Sequence, residues 1–141
     1  MAPTIITTTK RSSMMARVKS RGNVSTELAL IKLFRELKIS GWRRRSKIFG
    51  APDFVFPKIR LAIFVDGCFW HACPKHGSLP ISNAEFWRAK LLRNRLRDAK
   101  VNRTLKASGW AVIRIWQHDL LKSSRMRCGI RVKRVIARLT Q

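Results

Sequence analysis

The densest chemistry in the chain lies between Phe64 and His76 (FVDGCFWHACPKH), where a carboxylate, two thiols, two imidazoles and two large aromatics follow a short apolar run. Cys68-x4-Cys73-x2-His76 offers three soft or borderline ligands at a spacing short enough to fold around one ion, and zinc takes four in a tetrahedron. The fourth has two sources: His71 inside the cluster, and His118, which follows a second apolar run at 110–116. Five candidates therefore compete for four places, and a histidine left outside a closed site is free to exchange a proton near neutral pH. A disulfide loop is the bland alternative. Three cysteines cannot all pair with one another, no secretory signal peptide is read at the start, and thiols in a reducing compartment more often hold metal than pair. Cys128 stands apart in the basic tail.

A second chemistry rests on oxygen. Three of the 7 acidic residues fall at instructive places. Asp53 opens a strand candidate behind a glycine-containing turn, and Asp66 closes the next strand. Adjacent strands bring two such carboxylates close enough to share a divalent cation, and hard oxygen ligands suit magnesium. Glu27 opens a helix, where a carboxylate also interacts favourably with the helix dipole. Phosphodiester cleavage needs a cation to polarise the phosphate, a base to activate water and basic groups to hold the backbone. Asp53 with Asp66, His71 and the many Lys and Arg residues supply these three parts.

The elements that must position these residues follow from pattern. Leu61 to Val65 (LAIFV) reads as a buried strand, so the polar cluster begins where a strand ends, which is where open α/β sheets bind ligands. Further strands are expected at 42–45, 53–56 and 110–116, the last apolar enough to be an inner strand. A helix begins after Ser25 or Thr26 and stops before Gly41, since Leu28, Ile31, Leu33, Phe34 and Leu37 recur near helical spacing. Asn83 can cap a long helix reaching about Ala107, with Gly109 ending it. Ser12 or Ser13 can cap a short helix to about Lys19, and a basic helix spans about 124–139. In that last helix Arg127, Arg131, Lys133, Arg134 and Arg138 alternate with Ile130, Val132, Val135, Ile136 and Leu139, which implies one face on the core and a cationic face outside.

Composition names the partner class. Lys plus Arg total 31 against 7 Asp plus Glu, a formal charge of +24 with a pI near 11.9. Such a surplus binds phosphate backbones by releasing condensed counterions, with affinity falling steeply as salt rises. A membrane surface is the weaker partner: no stretch approaches the roughly 18 apolar residues of a spanning helix, and no lipidation motif is visible. The acid-free first 26 residues resemble a transit peptide in composition, but read better as a basic DNA-contacting arm. At 141 residues and 45% hydrophobic, the chain can bury one substantial core. The expected organisation is a flexible basic arm at 1–10, one catalytic domain at 11–122 and a basic C-terminal helix at 123–141 packed on that domain.

From Arg11 to Leu120 the sequence resembles the very short patch repair endonucleases, a branch of the restriction-endonuclease-like nucleases that nick DNA beside T:G mismatches. The matching pieces occur in the family's order: Arg11-Ser12 with Met15, Thr26-Glu27, Pro52-Asp53-Phe54, Phe64 to His71, Phe86-Trp87, Asn94 with Arg97-Asp98, and Gly109-Trp110 with Trp116. The run Asp66-Gly67-Cys68-Phe69-Trp70-His71 is the most specific. The resemblance implies that Asp53 binds the catalytic metal, that Glu27 contacts its water shell and that His71 activates the attacking water. It assigns Cys68, Cys73, His76 and His118 to zinc. Phe69, Trp70 and Trp87 match aromatics that wedge into the duplex, recovering an unstacking cost of a few kcal/mol per step through contacts in the distorted DNA.

The departures are specific. A well-known member carries Cys, His, Cys and Cys at zinc, where this chain reads Cys68, Cys73, His76 one residue late, and His118. Asp66 stands where that member has histidine, and Val65 where it has a threonine whose main-chain carbonyl meets the metal. Asp66 is expected to add a ligand, provided the strand ends there, because alternation otherwise turns neighbouring side chains to opposite faces. The expectation is thus a three-layer α/β sandwich with a small mixed sheet, a structural zinc and a catalytic magnesium. The expected protein is a cytoplasmic, nucleoid-associated monomer that nicks double-stranded DNA. A defence or mobile-element nuclease cutting both strands is the alternative enzyme. A zinc-stabilised binding module without catalysis is the alternative outside enzymes, and has no need of Glu27, Asp53 and His71 together.

Overall fold

The computed structural model describes residues 24–44, 46–68, 73 and 81–141. The expected arm at 1–10 and short helix at 12–19 lie outside the described residues. Helix α1 spans Val24–Glu36, strand β1 Arg43–Arg44, β2 Phe54–Phe56 and β3 Leu61–Asp66. Helix α2 spans Ala84–Ala107, β4 Ala111–Trp116 and α3 Arg125–Thr140, with 3-10 turns at Pro57–Ile59 and Gln117–Leu120.

The strands form one mixed sheet in the order β1-β2-β3-β4. β1, β2 and β3 pair antiparallel through short connections, while β3 and β4 run parallel. Parallel pairing needs a long crossover, and α2 provides it. Strand alternation then separates two cores. Leu61 and Ile63 of β3 join Phe54, Phe56, Ile113 and Ile115 beneath α1 (Leu30, Leu33, Phe34) and α3 (Cys128, Val132). Ala62 and Phe64, on the opposite face, pack against Val101 and Leu105 of α2. Each fully buried Leu, Ile or Phe contributes roughly 1.5–3 kcal/mol from removal of apolar surface, so the six residues of β3 anchor both layers.

β4 is the last strand of the described sheet and its residues are only alternately buried, so it is an edge strand and not the inner strand expected. α3 touches that edge at one point: the guanidinium of Arg131 donates to the carbonyl of Arg114 at 2.7 Å. Asn83 sits at the start of α2 in a left-handed conformation (φ 58°, ψ 38°) without a side-chain cap. Its carbonyl accepts from the Trp87 N–H at 3.1 Å instead. The turn that delivers Asp53 to β2 lies tight against α2. Gly50 has φ +81°, and a Cβ there would fall 2.4 Å from Val101 Cγ1.

Candidate functional site

Two clusters of metal-type ligands form at the carboxyl-terminal ends of β3 and β4. The first is built from oxygen. Oδ2 of Asp53 accepts the main-chain N–H of Val65 at 2.7 Å, which ties the start of β2 to the end of β3. Glu27, in the first turn of α1, reaches the same carboxylate and forms a side-chain hydrogen bond with it. Two carboxylates in contact repel when both are ionised. Burial, above all, pushes the Asp53 carboxyl up to about 6, with Glu27 and then Asp66 adding to the rise and the Val65 N–H opposing it. Arg44 of β1 forms an ion pair with Glu27 and lies 6.0 Å from the Phe54 ring centroid. Glu27 and Asp53 form a pair of adjacent carboxylates in a chain of net charge +24, and two hard carboxylates held together suit a divalent cation such as magnesium.

Asp66 ends β3, 4% exposed, and its Oδ1 meets Arg114 Nη1 at 2.9 Å. Arg114 also bonds Asn102 of α2, Nε to Oδ1 at 2.8 Å, and stacks 4.2 Å from the centroid of Phe64. The expectation that Asp53 and Asp66 lie on adjacent strands holds, since β2 pairs with β3.

The second cluster is built from sulfur and nitrogen. Sγ of Cys68 and of Cys73 lie 3.4 and 3.6 Å from Nδ1 of His118, and the three donor atoms fall within 4.8 Å of one another. The geometry follows from the sheet. Asp66 pairs with Trp116 in the parallel register, and two residues further along each strand stand Cys68 and His118. The Cys73 N–H donates to the Cys68 carbonyl at 2.9 Å and folds the second thiol back beside the first. Oδ1 of Asp119 lies 3.6 Å from Nε2 of His118, the arrangement by which a carboxylate orients a metal-bound imidazole. Both cysteines are free thiols in the structure. Burial, partly offset by a hydrogen bond from His118, raises the Cys68 thiol above its usual range. Two thiols and an imidazole within bonding reach of one centre fit zinc, whose charge would hold the thiolates.

The remaining sequence expectations divide. Phe69, Trp70, His71 and His76 lie outside the described residues. Val65 is in place beside Asp53. Trp87 is 1% exposed and among the largest fully buried side chains. It lies under Lys90 and edge-on to Phe86, so in the DNA-free chain it is packed away from solvent. Phe86 is the exposed member of that pair, at 55%. Two residues that sequence reasoning missed are Arg44 and Arg114, each the ion-pair partner of a predicted site carboxylate. Their signal was drowned in the 31 basic residues of the chain.

Comparison with known proteins identifies the family. Residues 4–76 match the family model described as DNA mismatch endonuclease Vsr. The type II nicking enzyme V.NmeDIP of Neisseria meningitidis serogroup C is 38% identical over 133 residues, covering 93% of this chain and 88% of that one. The DNA mismatch endonuclease Vsr of Escherichia coli (strain K12) is 31% identical over 108 residues, 76% of this chain and 69% of that one. The type II nicking enzyme V.NaeI of Lentzea aerocolonigenes is 48% identical over a shorter stretch of 73 residues, 52% of this chain and 44% of that one. Glu27, Asp53, Asp66, Cys68 and Cys73 all fall within the matched segment, and the V.NmeDIP alignment covers nearly the whole chain, so it belongs to the Vsr family of DNA mismatch endonucleases.

Proposed function

We propose that this protein is a magnesium-dependent DNA endonuclease that nicks one strand of a duplex beside a T:G mismatch by hydrolysing a phosphodiester bond. The observation that carries this reading is the Glu27–Asp53 pair, held by the Val65 N–H at the open end of the sheet in a strongly basic chain. Within it, Asp53 and the main-chain carbonyl of Val65 would hold the cation, with Glu27 adding a second negative charge beside it. Magnesium, when bound, supplies the Lewis acid that polarises the phosphate. His71 takes the proton from the attacking water, a role suited to a side chain that titrates near neutrality. Exposed Lys and Arg side chains hold the flanking phosphates. Phe69 and Trp70 open the base step beside the mismatch. Zinc, held by Cys68, Cys73, His118 and His76, braces the segment that carries His71. The fold completes a restriction-endonuclease-like sandwich in this reading.

The test is cleavage of paired duplexes, one matched and one with a single T:G mismatch, each strand labelled separately, with magnesium and an Asp53→Ala control. Nicking of the T strand of the mismatched duplex alone, absent in the control, is expected. Cutting of both strands of matched DNA would turn the reading to a defence or mobile-element nuclease. Binding without cleavage would turn it to a non-catalytic module.

A further inference from the structure

β3 presents its side chains alternately to the two helical layers. Leu61, Ile63 and Val65 face the core under α1 and α3, whereas Ala62 and Phe64 face α2. Asp66 continues the second series. It meets Arg114, whose own strand partner is Phe64, and Arg114 is committed to α2. Beyond its bonds to Asp66 Oδ1 at 2.9 Å and Asn102 Oδ1 at 2.8 Å, its Nη1 lies 3.7 Å from Asp98 Oδ1 and its Nη2 3.5 Å from the Asp98 carbonyl. Glu27, by contrast, comes from α1, on the other side of the sheet.

The geometry points to Asp66 and Arg114 as a positioning pair that sets the end of β3, with Asp66 acting through Arg114 and not as a ligand to the catalytic cation. This rests on the nuclease reading above. The residue before Asp66 is Val65, whose N–H orients Asp53. Two residues after it comes Cys68 of the thiol–imidazole cluster. A planar guanidinium fixed at several points and stacked on Phe64 locks Asp66 in direction as well as distance, so the pair holds both metal-type clusters at one relative setting. Displacing a positioned group by about 1 Å can cost on the order of 100-fold in rate.

The experiment compares Asp66→Asn, Arg114→Gln, the double variant and Arg114→Lys in cleavage of the T:G duplex under magnesium titration, below the melting temperature of each. A positioning pair predicts turnover lowered by about 10- to 100-fold in both single variants, and half-saturating magnesium within twofold of the parent. It also predicts a double variant no worse than the poorer single one, and partial recovery in Arg114→Lys. A tenfold rise in half-saturating magnesium for Asp66→Asn but not Arg114→Gln would overturn the proposal and make Asp66 a ligand. Unchanged turnover with only a lower melting temperature would also overturn it. If the parent cleaves no duplex, the nuclease reading fails by itself, and calorimetry with manganese alone decides the pair. Manganese affinity kept in Asp66→Asn but lost in Asp53→Asn supports it, and any other pattern overturns it.

Discussion

Asp53→Asn should stabilise the magnesium-free protein at neutral pH while abolishing cleavage. The Asp53 carboxyl stands at about 6 against an ordinary 3.8, chiefly through burial. A group whose folded-state pKa is raised binds its proton more tightly in the native protein. The native state therefore incurs a growing cost as pH rises from 3.8 toward 6, fully present above 6 and absent below 3.8. At 1.36 kcal/mol per pKa unit that cost is at most about 3 kcal/mol, and nearer 2 once partial solvent access is allowed for. Asparagine keeps an oxygen to accept the Val65 N–H but carries no charge. The variant should melt roughly 5–10 °C above the parent at pH 7.5, with the gap closing by pH 4. The assay is thermal melting across pH 4–8 with magnesium omitted and the protein otherwise unstripped. Added magnesium should raise the parent's melting temperature but not the variant's, because only the parent offers the full anionic pair. A variant no more stable at pH 7.5, or a gap that fails to close on acidification, would refute the argument.

Cys68→Ser or His118→Ala should lose a tightly bound metal, measured by elemental mass spectrometry on purified protein, while Cys128→Ser, buried in the first turn of α3 and outside the cluster, should keep it. Trp87→Ala should cost about 3–5 kcal/mol in urea denaturation, as expected for truncating a buried aromatic, whereas Phe86→Ala, half exposed, should cost under about 1. Arg127, Arg134 and Arg138 are exposed on α3, so changing all three to Gln should leave melting nearly unchanged. If they meet three phosphates, the slope of log affinity against log salt falls by up to about 3, and an unchanged slope removes α3 from the DNA-facing surface. Deleting the whole helix would not serve, since Cys128 and Val132 belong to the core.

Much of the fold was legible because its elements carry local signals. β3 is a short apolar run, α1 repeats its leucines at helical spacing, and Gly109 ends α2 with φ +88°. Each strand, α2 and α3 fall within about two residues of their expected spans, whereas α1 ends at Glu36, about four residues short of the expected stop at Gly41. The site was legible in outline for the opposite reason: acids are so scarce that Asp53 and Glu27 stood out. What pattern could not reveal is pairing between distant segments. That β4 is an edge strand and lies parallel to β3 is a property of the assembled sheet. The burial of Trp87 was not legible because α2 is so rich in charge that its thin apolar face, Trp87, Leu91, Val101 and Leu105, hardly registers as a stripe. Asn83 stands at the cap position as expected, but in a left-handed backbone and without a side-chain cap bond. Arg44 and Arg114 were hidden by abundance.

The alignment of β3 on β4 has a consequence for inheritance. Cys68 meets His118, and Asp66 meets Arg114, only because both strands run the same way and are matched residue for residue from Leu61 with Ala111 to Asp66 with Trp116. A slip of one residue turns every side chain of a strand to the opposite face. An ion gripping Cys68 and His118 together would reward one threading of the sheet and reject its neighbours, acting as a proofreader of folding as well as a brace. The two strands are accordingly tied to a common length: a single-residue insertion in either would separate both pairs at once. Changes in length among descendants of this sequence should therefore collect in other parts of the chain.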